Sequence, residues 1–239
     1  MPCSVLGEIS PNIGHRPKAA TMESQNNTDP LLAPKGNLHF LQKCLKISND
    51  WYKSSGDWVF MSVSIKNTNN LLNVSRNTYQ GAYNFQISIS ILDLKHVPEL
   101  SANDAVNGYN FVGTTRNYFE KAVQDFHFGQ TQPADAWDAV QIFALMIATF
   151  HSHGHKLALV GHSLKPCMRI LRGFGLDLTM SFLAYIDTYD IAHKVFECVG
   201  RPTFTDLLEA LDIKFAWLNC AGNYANYVTK ALLALATYE

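Results

Sequence analysis

The chain has 239 residues, 47% of them apolar and 12% aromatic, enough for one substantial core and too few for two large domains. With 19 Lys and Arg against 20 Asp and Glu, the composition announces no broad cationic surface for nucleic acid or acidic lipid. The cysteines, Cys3, Cys44, Cys167, Cys198 and Cys220, lack the paired spacing of a disulfide scaffold or a structural zinc site. No run nears the roughly 20 apolar residues that span a bilayer, and the N-terminus lacks the apolar core of a secretory signal, so the expectation is a cytoplasmic or nuclear protein with no membrane contact.

Residues 1–36 carry Pro, Gly, Asn, Ser and Thr in quantity with no sustained period, which predicts a flexible arm. The folded domain is then expected over 37–239, opening on a helix in which Leu38, Phe40, Leu41, Leu45 and Ile47 close against the domain. WVFMSVSIK at 58–66 reads as a strand with Ser62, Ser64 and Lys66 on a shared face. In YNFQISISILDL, Phe85, Ile87, Ile89 and Ile91 alternate with Gln86, Ser88 and Ser90, a clearer strand. A third, edge strand is expected near 106–112, making an antiparallel meander.

The period then changes. Ala136, Val140, Phe143, Ala144, Ile147 and Phe150 predict a helix over 134–151. KLALVGH reads as a short buried strand, followed by a helix beginning near Pro166, a second buried strand at FLAYID, and helices near 190–198, 203–211 and 223–237. Strands that alternate with helices imply parallel pairing, so the fold class is α/β with a mixed central sheet and flanking helices. Periodicity alone does not separate this topology from other small α/β folds, and no internal repeat is visible.

Five segments in order, VFMSVSIKN, QISISILDL, LALVGHSLKPCMRILRGFG, AYIDTYDIA and LNCAGNYANYVTKALLALA, resemble successive pieces of the DEDDh exonuclease family, in particular its fungal branch of ribonuclease-H-like proteins. The resemblance spans residues 37–238. It implies a ribonuclease-H-like fold and a cleft where family members cut nucleic acids from the 3′ end, using two divalent cations held by carboxylates that activate water and stabilise charge on phosphate.

The resemblance also locates what this chain lacks. The paired acids of the first strand match Ser64 and Lys66, the second acidic position matches Cys167, and the terminal histidine and aspartate match Asn219 and Tyr224. An ammonium at Lys66 repels a cation and suits a phosphate, carboxylate or enolate oxygen instead. Cys167 is a poor ligand for magnesium and reads either as a pocket-lining thiol or as a thiolate activated by a helix start and His162. Tyr224 reads as an aromatic wall, a hydrogen-bond donor to a ligand, or a packing residue.

Asp187 matches a supporting residue of the family, expected to cap the turn that follows it, with use at a site as the alternative. His162 reads as a loop-bonded imidazole or, beside Lys66 and Cys167, as an acid or base. His151, His153 and His155 alternate before a strand, and a solvated turn explains them better than a metal site. Walker and Gly-x-Gly-x-x-Gly patterns are absent, and SLKP has no context that makes its serine a nucleophile.

The expectation is therefore a pseudo-nuclease, without metal or cofactor, that binds a protein partner or a small organic ligand. Nucleic acid is not favoured. The alternative is a metal-independent enzyme that isomerises, dehydrates or cyclises a small molecule, with Lys66 on developing oxygen charge, His162 moving a proton, and Tyr224, Trp58 or Trp217 enclosing the substrate. Composition does not fix the oligomeric state.

Overall fold

Alternating apolar and polar residues on the central strands divide the sheet into two chemically different faces, and helices cover both. The computed structural model describes residues 38–45, 57–71, 84–95, 106–113, 116–196 and 202–238, all within one unit, Leu31–Glu239. The arm expected over 1–36 lies outside the described residues.

Helix α1 (Leu38–Leu45) precedes three strands, β1 (Trp58–Lys66), β2 (Phe85–Asp93) and β3 (Val106–Gly113). These form the antiparallel meander, with Ser64 opposite Ser88 and Ser88 opposite Asn110. Helix α2 (Arg116–Asp125) leads to β4 (Gly129–Pro133), which pairs with β3 in parallel. The chain continues through α3 (Ala136–Ser152), β5 (Lys156–Gly161), α4 (Leu164–Gly173), β6 (Ala184–Asp187), α5 (Thr188–Val195), α6 (Phe204–Ala210) and α7 (Ala221–Thr237). The sheet order is β4-β3-β2-β1-β5-β6, with β1, β5 and β6 mutually parallel. This is the mixed six-stranded sheet of a ribonuclease-H-like α/β fold.

One expectation is corrected. Strand β3 is not an edge, because β4 covers it. The sequence of β4, GQTQP, has neither apolar alternation nor β-branched bulk apart from Thr131, and Gly129 approaches Gly108 so closely that a Cβ would overlap the Gly108 carbonyl. Helix α2 adds an element that the sequence pattern did not announce, and elsewhere the differences are of boundary: α4 starts at Leu164, two residues before Pro166, and α5 starts at Thr188.

On one face Val59, Met61, Val63 and Ile65 of β1 pack with Ile87, Ile89 and Ile91 of β2 against α3 and α4. Helix α3 supplies Ala139, Val140, Phe143, Met146 and Ile147 at helical spacing, and its first turn is capped by Asp135, which accepts from the Asp138 amide at 2.8 Å. The other face meets α7. Here Phe60, Ala158, Val160 and Ile186 pack with Val228, Ala231, Leu232 and Leu235. Between them runs a buried polar seam of Ser62, Ser64, Gln86, Ser88, Ser90 and Asn110.

Internal partners hold most of that seam. The hydroxyls of Ser62 and Thr229 lie 2.8 Å apart, and Thr229 donates to Ser90 at 3.3 Å. Ser88 donates to Asn110 at 2.5 Å, and Gln86 accepts from the Ala221 amide at 2.8 Å, capping the start of α7. The seam therefore fixes the register of α7 on the sheet and ends, at Ser64 and Lys66, where β1 leaves it.

Candidate functional site

Parallel β1 and β5 point their carboxyl ends the same way, β1 running on past the end of β5 to Lys66, and ligand sites in α/β sheets gather outside such carboxyl ends. A cavity of about 210 Å³ opens there. Its wall includes Ser64 and Lys66 from the end of β1, His162 from the turn after β5, Cys167 from α4 and Tyr224 from α7. Five of the seven candidate residues thus share one cavity. The two others stand apart from its wall: Asp187 braces the turn behind it, and Asn219 is exposed in the turn before α7.

Asp187 is held by the backbone around it. Its Oδ1 accepts from the amides of Ser163 at 2.8 Å and Tyr189 at 3.1 Å, and its Oδ2 accepts from Leu164 at 3.0 Å. One carboxylate thereby ties the β5–α4 turn to the start of α5. The turn needs that tie, because Ser163 adopts φ 66° and ψ 66°, a left-handed conformation that costs a non-glycine residue roughly 1–2 kcal/mol. Gly161 completes the fit, since a Cβ there would overlap the Leu164 side chain.

His162 is similarly engaged. The Thr188 hydroxyl donates to the Gly161 carbonyl at 3.1 Å and lies 3.1 Å from the Nδ1 of His162. Desolvation lowers the pKa of the imidazole, against the opposing charge of Asp187 and a hydrogen bond with the Pro202 backbone. The ring packs 4.9 Å from Phe204, which in turn lies 4.4 Å from Tyr224. His162 and Tyr224 thus give the cavity an aromatic side, their rings joined through Phe204, which does not line it.

Lys66 faces that side. Its ammonium sits 4.3 Å from the centre of the Tyr224 ring, and among the described residues no carboxylate forms an ion pair with it. Burial lowers its pKa, opposed by the nearby Cys167 and Cys220. Burial also raises Tyr224, so the phenol keeps its proton, and it pushes the Cys167 thiol up to about 11 despite the backbone of Ile65 and the charge of Lys66. Of the two readings of Cys167 the surroundings favour the pocket-lining thiol over the activated thiolate, since desolvation outweighs the helix start and the group keeps its proton.

The indoles suggested as walls lie elsewhere. Trp58 begins β1, at the far end of the strand from Lys66, and packs on Phe40 and Phe60. Trp217 is 55% exposed, with the ammonium of Lys121 5.5 Å from its ring. The three histidines before β5 do not converge: His151 bonds the Ser181 carbonyl at 2.7 Å, His153 bonds that of Thr149 at 2.8 Å, and His155 packs edge-on to Phe150. Residues that the sequence did not single out also matter here. Ser163 and Thr188 carry the turn, and Phe204 bridges His162 to Tyr224; ordinary local patterns gave no sign of these long-range contacts.

A hard divalent cation needs several oxygen ligands, chiefly carboxylate. The candidate positions around the cavity present a hydroxyl, an ammonium, an imidazole, a protonated thiol and a protonated phenol. This donor set does not fit such an ion, and among the described residues no group of three His, Cys, Asp or Glu side chains is placed to hold one. Among those residues, too, no helix is long and apolar enough to cross a membrane.

Residues 88–235 match the family model described as DNA polymerase III subunit epsilon-like, C-terminal domain. The match includes Cys167, Asp187, Asn219 and Tyr224 and begins after the strand that carries Ser64 and Lys66. No curated protein matches the chain.

Proposed function

The chain belongs to the DEDDh family of DNA polymerase III subunit epsilon-like domains, and we propose that it is a non-nucleolytic member whose cleft binds a small organic ligand. The observation that carries this reading is the cavity wall itself: Lys66 stands on a wall whose lining residues include no carboxylate. Phosphodiester hydrolysis by two cations requires anionic oxygens to fix the metals. An ammonium in their place repels cations and attracts electron-rich oxygen.

The ligand would be held by three features. Lys66 supplies a positive charge, Ser64 a hydroxyl, and Tyr224 with His162 aromatic contact. At about 210 Å³ the cavity is smaller than the roughly 300–1,000 Å³ of pockets for drug-sized molecules, so it suits a small molecule or the end of a larger one. Near-zero net charge weighs against non-specific nucleic-acid binding as the main role. A second reading, metal-independent proton transfer on that ligand, draws support from His162 and Lys66 lining the same cavity.

The test is a nuclease assay of the purified chain on 3′-labelled DNA and RNA with magnesium or manganese. The expected result is no turnover that tracks with the protein. Metal-dependent release of nucleotides that co-purifies with the chain and disappears in Cys167→Ala would overturn the reading.

A further inference from the structure

Lys66 and Lys230 are both lysines withdrawn from water against aromatic rings, but only one of them lines the cavity. The Lys230 ammonium lies 4.2 Å from the Phe128 ring centre and 5.6 Å from that of Tyr227, on a part of α7 away from the cavity wall. The Lys66 ammonium, 4.3 Å from the Tyr224 ring, stands on the wall. Lysine is a weak nucleophile when protonated and solvated, and a strong one when a desolvating pocket favours the neutral amine. The thiol on that wall, Cys167, holds its proton, which sets the Lys66 amine ahead of it as a nucleophile.

Resting on the reading of the cleft as a small-ligand site, we propose that the ligand is a carbonyl compound and that Lys66 binds it covalently as a reversible imine. The Nζ lone pair attacks the carbonyl carbon, a C–N bond forms, and the π electrons pass to oxygen, which takes up the proton that nitrogen loses. The carbinolamine then expels its hydroxyl with a second proton as water while C=N forms. Amine and carbonyl give imine and water, with no oxidant, reductant or metal. The protonated phenol of Tyr224 and thiol of Cys167 stand on the same wall as hydrogen-bond donors to the departing oxygen. The rings of Tyr224 and His162 on the wall offer an aryl aldehyde an aromatic contact that an aliphatic ketone lacks.

The experiment treats the full chain with benzaldehyde and sodium cyanoborohydride, which delivers hydride to the imine carbon and fixes the adduct, and maps modified lysines by peptide mass. Labelling of Lys66 is expected severalfold faster than of Lys230 or the exposed Lys165, because of the three only Lys66 lines the cavity that gathers the aldehyde. Lys66→Arg, which keeps the charge and the fold, removes that adduct and leaves the others unchanged. Labelling of Lys66 no faster than of Lys230 overturns the proposal, because desolvation without the cavity would then suffice. If Lys66 stays unlabelled while benzaldehyde or benzoate protects Cys167 from iodoacetamide, the imine is refuted and the small-ligand cleft stands. Metal-dependent nuclease turnover would instead remove the reading beneath both.

Discussion

The two faces of β1 are built from adjacent residues and obey different rules. Val59, Met61, Val63 and Ile65 enter an apolar layer with α3 and α4, where close packing supplies the stability. Ser62, Ser64 and Lys66 enter the layer under α7, where hydrogen bonds fix position at a smaller net gain, since each replaces a bond to water. The first face could accept many apolar sequences of the right volume. The second specifies where α7 sits, and so where Tyr224 meets Lys66. In this fold stability and site geometry are assigned to opposite sides of one strand.

The largest test of that division is a cavity in the apolar layer. Phe143 is fully buried between α3 and the sheet, and Phe143→Ala should lower the unfolding free energy by about 3–5 kcal/mol. Urea denaturation measures it. A loss below about 1 kcal/mol would mean that the layer repacks freely and that the contrast with the seam is overstated.

A smaller effect, of opposite sign, is expected in the seam. Asn226 on α7 is 1% exposed, and neither its side-chain oxygen nor its nitrogen has a hydrogen-bond partner. Ala221 of the same helix is bonded to Gln86, and Thr229 to Ser90, so Asn226 lies along α7 between two anchored points. An unpaired buried amide loses its water without compensation. Asn226→Leu should therefore stabilise the fold by about 1 kcal/mol, read as a higher urea midpoint at unchanged slope. Destabilisation would show that Asn226 is satisfied through a bound water and that the seam is more nearly complete than its direct bonds indicate.

These contrasts also show what the sequence could reveal. Residues on β1 and β2 alternate so regularly that the polar face, and with it Ser64 and Lys66, was legible at once. The convergence of Cys167 and Tyr224 on the same cavity came from the family resemblance, because α4 and α7 bring those residues from distant parts of the chain. Strand β4 was hidden, since its five residues gain their conformation from pairing with β3 and not from their own preference. Phe204 was hidden for a related reason: it reads locally as an apolar residue at the start of a helix, and its role between His162 and Tyr224 exists only in three dimensions. Between the two readings of Cys167 the sequence could not decide, because burial, which no spacing encodes, dominates its titration.

The smallest expected effect isolates the charge at the end of the seam. Burial lowers the pKa of Lys66 from its ordinary 10.5, so the folded chain releases that proton more readily than the unfolded chain does. Below the folded pKa both states are protonated and the cost of burying the ammonium is fully present. As pH rises from the folded value toward 10.5, the unfolded state binds more protons, and stability attributable to Lys66 increases. Lys66→Met removes this dependence. Cys44 and Cys167, each pushed up to about 11, act in the opposite direction above the ordinary thiol range, and Tyr224 is also raised. Lys66 therefore has to be read as a difference between the two proteins, in which the groups common to both largely cancel; Cys167, Cys220 and Tyr224 are the titratable neighbours to which coupling would remain. The variant should be the more stable near neutrality, with the gap narrowing as pH climbs toward 10.5. A gap that stays constant across that range would place the ammonium in water and dissolve the distinction between the end of the seam and an ordinary surface.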